Sequence, residues 1–250
     1  MKIQLSLLGL LLALATASAS AQDMSRVYLR GDVGWAFANG ASIGDNTIGP
    51  PSFANLCEGG APNVCGFEVD DIGDSVSLAA GVGYRFTDNF RMDLTGGFRP
   101  SFELDDSILS AFGGQDTHRA DIDTTTIMFA GYYDFSIKDS KVKPYIGGGL
   151  GWSWNDISTT TVTNSVSGLR RTHGGDTEND FAWQFSAGVG IPLKGRGIVD
   201  IGYKYVDVGD LDSGPTTVSG SFPGFAFGPF PFNGVSGDVS FHEVSIGIRY

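Results

Sequence analysis

The stretch Asp238–Tyr250, DVSFHEVSIGIRY, alternates strictly from Val244 onward: Val244, Ile246, Ile248 and Tyr250 fall on one face, Glu243, Ser245, Gly247 and Arg249 on the other. A period of two specifies a β-strand. One face is apolar and ends on an amphipathic ring, while the other is small or charged. Such a strand has lipid on one side and a crowded polar lumen on the other. An open edge in hydrocarbon would leave backbone N–H and C=O groups unpaired at several kcal/mol each, so this strand needs a partner on both sides. The first strand of the chain, closing a barrel, is the natural one.

Seven further segments carry a related pattern. Val27–Phe37 sets Val27, Leu29, Val33, Trp35 and Phe37 against Tyr28, Arg30, Asp32 and Ala36. Val76–Phe86 and Phe90–Phe102 follow, separated by Thr87-Asp88-Asn89, and then come Thr124–Phe135, Pro144–Asn155, Phe181–Leu193 and Ile198–Val206. Each is long enough to cross a bilayer as a tilted strand, which takes about 9 to 11 residues. The connections alternate in length. Short ones are 87–89, 136–143 and 194–197; long ones are 38–75, 103–123, 156–180 and 207–237. All short turns therefore gather at one end and all long loops at the other, as periplasmic turns and extracellular loops do. The fold class is all-β, an eight-stranded antiparallel up-and-down transmembrane β-barrel.

A secreted barrel of lipocalin type would show the same alternation with its apolar face inward. Trp35, Trp152, Trp154 and Trp183 all sit on that face, and an eight-stranded interior has no room for them. The aromatics also sort by height. Trp35, Phe37, Phe98, Phe102, Trp152, Trp154, Phe181, Trp183, Tyr203 and Tyr205 lie towards the loops, and Tyr84, Phe86, Phe90, Tyr133, Phe135 and Tyr250 towards the turns. Two girdles around an aliphatic belt mark a membrane protein.

Residues 1–21 read as a cleaved signal peptide: Lys2, the apolar run Leu5–Ala15, then Ala19-Ser20-Ala21 before Gln22. The remaining 22–250 form one barrel domain. No later window is apolar for long enough to make a spanning helix. The 37 Gly and 18 Phe against 4 Met suit an all-β chain, and the net charge of −12 without a basic cluster speaks against nucleic acid. Cys57 and Cys65 fit an oxidising compartment and can pair within the first long loop.

YLRGDVGWAF (Tyr28–Phe37), GVGYRF (Gly81–Phe86), GYYDF (Gly131–Phe135), PYIGGGLG (Pro144–Gly151), DIGYKYVDVG (Asp200–Gly209) and the terminal HEVSIGIRY together resemble one family. It comprises the eight-stranded outer-membrane barrels similar to the transmembrane domain of outer-membrane protein A and the opacity proteins, in particular the alphaproteobacterial porin-family surface antigens. The resemblance covers the whole of 22–250. It implies an integral outer-membrane protein exported through the periplasm, with Val244, Ile246, Ile248 and Tyr250 as the C-terminal signal for barrel-assembly machinery. It also implies contact with outer-membrane lipid and lipopolysaccharide. It does not choose among adhesins, structural anchors and other tasks.

The inner face carries Arg30, Asp32, Arg85, Arg91, Asp93, Arg99, Asp134, Asp200, Lys204, Glu243 and Arg249, six basic and five acidic. Buried charges persist when paired and hydrogen-bonded, so a nearly neutral ion-pair network filling the lumen is the first reading. The alternative is a narrow passage for small solutes, tuned by the same charges. The long loops are acidic, the first carrying Asp45, Glu58, Glu68, Asp70, Asp71 and Asp74, whereas the short turns hold Lys138, Lys141, Lys143, Lys194 and Arg196. Acidic loops give solubility and a face for a host or surface ligand, and their oxygens could share divalent cations with lipid phosphates. The last loop holds SFPGFAFGPFPFNG (Ser221–Gly234), either packing on itself or forming an apolar contact patch. No cofactor or dedicated metal site is expected, since neither EF-hand nor zinc spacing occurs. Of His118, His173 and His242, only His242 has a nearby nucleophile in strand phase, Ser240. That phase faces lipid, so a lipid-modifying enzyme is the third reading and a non-enzymatic barrel the first.

Overall fold

A computed structural model describes residues 26–39, 41–45, 66–69, 73–109, 115–164, 170–212, 216–222, 225–232 and 235–250. The signal peptide, Cys57 and Cys65 lie outside the described residues. Eight long strands form the wall: β1 (Val27–Ala38), β4 (Asp74–Arg85), β5 (Phe90–Leu109), β6 (Gln115–Asp134), β7 (Lys143–Ile157), β10 (Asp176–Pro192), β11 (Ile198–Asp212) and β14 (Val235–Arg249). Each pairs antiparallel with its neighbour, and β1 pairs with both β4 and β14, so the sheet closes. At the seam Arg30 stands opposite Arg249, and Leu29 and Tyr250 exchange backbone hydrogen bonds of 2.9 and 2.8 Å. Closure leaves this wall no lipid-facing edge. No described helix is long and apolar enough to span a membrane.

Alternation sorts the side chains as period-two strands require. Leu29, Val33, Leu78, Phe129, Leu150, Ile201, Val244 and Ile246 point out, with Leu150 60% exposed, while Tyr28, Arg30, Arg91, Asp93, Tyr132, Asp134, Tyr145 and Arg249 are buried inside. Glycine on the inner face makes room for the large rings. A Cβ at Gly188 or Gly202 would collide with the Tyr145 hydroxyl, one at Gly147 with the Tyr132 ring, and one at Gly83 with Tyr28.

Both girdles are present. At the turn end Tyr84, Phe86 and Phe90 form a chain of rings with centroids 4.8 and 5.7 Å apart, and Tyr133 meets Phe135 at 5.0 Å. At the loop end Trp152 meets Phe181 at 6.1 Å and Trp183 meets Tyr205 at 5.3 Å. Trp35, Phe37 and Tyr203 are exposed beside them, with Trp154 partly so. Phe102 does not belong to this girdle. It is fully buried in the lumen, because the β5–β6 register slips between Arg99 and Phe102 and brings Phe102 onto the inner face. Pro100 lies within the slip, where a residue without an N–H is tolerated, and Ser75 donates its hydroxyl to the Pro100 carbonyl.

The strands also outlast their hydrophobic pattern. β5 and β6 continue as a paired ribbon to Leu109 and Gln115, where Phe102 and Thr124 were the expected limits. Six short strands lie among the long connections: β2 (Ala41–Asp45), β3 (Gly66–Val69), β8 (Thr160–Asn164), β9 (Arg170–His173), β12 (Thr216–Phe222) and β13 (Phe225–Phe232). The β2–β3 hairpin pairs with the start of β14, and β8, β9, β12 and β13 extend the sheet from β6. The described part of the Phe-rich segment is thus the end of β12 and the whole of β13, paired with each other.

Candidate functional site

The barrel interior concentrates most of the buried polar chemistry, and it divides by height. Towards the turns, Asp93 is the hub. It accepts from Arg30 Nη1 at 2.5 Å, from Arg91 Nη1 at 3.0 Å and from the Tyr28 hydroxyl. Arg30 also holds Asp32 at 2.8 Å, and Arg91 holds Asp134 at 3.2 Å. Arg249 donates to Asp200 at 2.5 Å and approaches Asp134 at 3.8 Å, linking the last strand to the network. The Arg91 guanidinium lies 3.9 Å from the centroid of the Tyr132 ring and 5.1 Å from that of Tyr145, close enough for cation–π attraction. Higher up, Glu243 takes Arg99 at 2.8 Å and Lys204 at 2.6 Å.

Ten of the eleven charged residues placed on the inner face by alternation thus meet a partner of opposite sign. Arg85 stands apart. It is partly buried at the turn-end mouth, its guanidinium 5.8 Å from the Tyr28 ring centroid, and it has no ion pair among the described residues. Removing an ion from water costs several kcal/mol, and only close pairing with further hydrogen bonds offsets that cost. Each carboxylate here has at least one guanidinium or ammonium against it.

Above Glu243 the interior changes character. Ala36, Phe102, Ile122, Val206, Val208, Leu211, Val239 and Phe241 form one buried apolar cluster, with Phe102 and Phe241 stacked at 4.6 Å between centroids. A hydrogen-bonded belt lies beside it: Ser153 and Asn155 donate to the Val208 carbonyl at 2.6 and 3.0 Å. That carbonyl is reached because the β11–β14 register slips between Asp207 and Asp210, where Gly209 has a φ of 75°. Two slips, one in β5 and one in β11, therefore turn Phe102 and Leu211 inward to join Val206, Val208 and Ile122, which face the lumen by plain alternation. Sequence reasoning missed this layer. One signal was available in β14, since Phe241 and Val239 share the phase of Glu243.

The family described as outer membrane protein beta-barrel domain matches residues 6–250. The chain belongs to it. The protein is accordingly an integral outer-membrane barrel. A protein of Brucella suis biovar 1 (strain 1330) is 27% identical over 210 residues, which is 72% of this chain and 67% of that one. An outer membrane protein of Gluconacetobacter diazotrophicus is 30% identical over 129 residues, covering 47% of this chain and 32% of its own. Among solved structures, neisserial surface protein A aligns over 89% of this chain and 95% of its own at 17% identity and a TM-score of 0.44. Ail, the attachment invasion locus protein of Yersinia pestis, aligns over 90% and 99% at 10% identity and a TM-score of 0.37.

On the outer face of this outer-membrane barrel, Ser240 and His242 do not engage each other. The Ser240 hydroxyl accepts from Asn39 Nδ2 at 3.1 Å, while His242 Nδ1 is hydrogen-bonded to the Tyr203 hydroxyl. The imidazole sits among girdle rings, 5.4 Å from Tyr205 and 5.9 Å from Tyr203. A nucleophile and base need direct hydrogen-bond contact, and these two residues are each committed elsewhere. Among the described residues no group of three or more His, Cys, Asp and Glu is arranged to hold a metal.

Proposed function

We propose that this protein is a closed barrel with a structural and surface-interacting role, adhesin-like or antigen-like, in which the wall serves to display the β-structured crown at the loop end. The observation that carries the reading is the double filling of the lumen, a paired charge network below and the fully buried Phe102–Phe241 stack above. An eight-stranded interior has space for little beyond side chains, and here both halves are occupied. The narrow-channel reading needs a continuous wet path, which an apolar layer opposes by dewetting. The crown, built by β2–β3 and by β8, β9, β12 and β13, is where ligand-facing chemistry would reside.

The test has two arms. Proteoliposomes carrying the refolded barrel should retain entrapped small solutes, and cells displaying it should bind host or abiotic surfaces better than cells lacking it. Solute leakage together with unchanged adhesion would reverse the reading in favour of a channel.

A further inference from the structure

The three short turns are not alike. The β4–β5 turn, Phe86–Asn89, contains Asp88 and no cation, and its polar groups are taken up by protein: Thr87 Oγ1 accepts from the backbone N–H of Asn89 at 3.2 Å and of Phe90 at 2.9 Å, while Asn89 Nδ2 donates to the Asp134 carbonyl at 2.7 Å and to Ser136 Oγ at 3.1 Å. The β6–β7 turn places Ile137, 52% exposed, beside exposed Lys138 and Lys141. The β10–β11 turn places Leu193, 46% exposed, beside exposed Lys194 and Arg196. These two turns are neighbours on the rim, because β7 pairs with β10 and Lys143 stands opposite Gly190. They form a single sector with four exposed cations and one acid, Asp139. Among the described residues none of the four cations is in an ion pair.

Both turns are locally closed in ways that leave these side chains unused. Leu193 N–H donates to the Gly197 carbonyl at 2.8 Å around Gly195, whose φ is 95°. In the other turn Ser140 Oγ accepts from the Val142 N–H at 3.1 Å. Ile137 follows the girdle residue Phe135 by two positions and Leu193 follows Ile191 by two, so each continues the lipid-facing row of its strand past the strand end. An apolar side chain at the acyl boundary with cations just beyond it is the arrangement by which a surface segment holds anionic lipid.

We propose that this sector is a binding site for anionic glycerophospholipid headgroups of the leaflet at the turn end. Ile137 and Leu193 enter the acyl region, and Lys138, Lys141, Lys194 and Arg196 meet the phosphodiester. Lysine and arginine stems reach such headgroups by extending along the apolar surface. The β4–β5 turn, which adjoins this sector on the other side because β5 pairs with β6, carries Asp88 and one exposed cation, Arg26, whose Nη1 donates to the Phe86 carbonyl at 2.8 Å, and so has no comparable cluster.

The test is native mass spectrometry of the detergent-solubilised folded protein with phosphatidylglycerol or phosphatidylcholine added at equal concentration. Phosphatidylglycerol should be retained preferentially. The combined variant Lys138→Gln, Lys141→Gln, Lys194→Gln and Arg196→Gln should bind it at least roughly tenfold more weakly, with heat-modifiable gel mobility verifying the fold. Asp88→Asn, on the adjoining turn, should not weaken retention. Equal retention of the two lipids, or full retention by the folded combined variant, would overturn the proposal. So would displacement of the lipid by soluble peptidoglycan fragments, which would assign the rim to an acidic wall polymer.

Discussion

The lower and upper halves of the lumen are filled by opposite means. Below, Asp93 gathers Arg30, Arg91 and Tyr28, and Arg249 bridges Asp200 and Asp134, so filling depends on directional contacts between ions. Above, Phe102 and Phe241 stack among Val206, Val208, Ile122 and Val239, and filling depends on volume alone. The charged half tolerates no missing member, since an orphaned ion in a dry site is costly. The apolar half loses stability in proportion to the space opened. Two seals in series also mean that breaking either one leaves the other.

That comparison is most sharply tested by conductance in planar bilayers. Asp93→Ala alone and Phe102→Ala with Phe241→Ala should each stay silent, while the three changes together should give steady steps. Conduction by either set alone would show that one half is the whole seal. Next in size, Asp93→Ala takes one of two carboxylates from each of Arg30 and Arg91 and the acceptor from Tyr28, and should lower stability by about 3 to 5 kcal/mol, read from urea titration of the refolded barrel in lipid vesicles. Phe102→Ala should cost about 3 kcal/mol in the same titration; a loss under about 1 kcal/mol would mean that the upper layer collapses to fill the gap. Glu243→Gln keeps the shape but weakens the bonds to Arg99 and Lys204, and should cost about 1.5 to 3 kcal/mol. Smallest is Asp74→Ala, which removes the acceptor of the exposed Trp35 indole and should change the midpoint by no more than about 0.5 kcal/mol.

The same division explains what could be read from sequence. Charges on the inner face of an apolar strand break the pattern conspicuously, so Arg30, Asp93, Glu243 and Arg249 could be placed from alternation, and so could their lipid-facing neighbours Leu29, Leu94, Val244 and Ile248. The apolar seal carries no such contrast, because a phenylalanine reads alike whether it meets lipid or lumen. Strict alternation puts Phe102 in the outer girdle because it cannot anticipate the slip at Pro100 and Ser101, and it likewise misses Leu211, which the irregularity between Asp207 and Asp210 turns inward. The strand extensions were missed for a related reason. Once the β5–β6 ribbon leaves the bilayer neither face need be apolar, and ELDDS and QDTHRAD lose the period that defines a strand in lipid. Arg85 had the right phase, yet phase says nothing of whether a partner lies within reach.

The seam between β1 and β14 joins distant parts of the chain; Asn39 meets Ser240 across 201 residues. Loop-closure entropy must be met before such contacts contribute, which makes this kind of topology slow to form. Until β14 arrives, Glu243 is missing for Arg99, and Arg249 for Asp200, so the interior charges cannot be neutralised stepwise. Final strand docking therefore performs two tasks in one event: it removes the two raw edges and completes the electroneutral interior. Partly assembled forms expose both defects together, and kinetic traps for this protein should be concentrated at that last step.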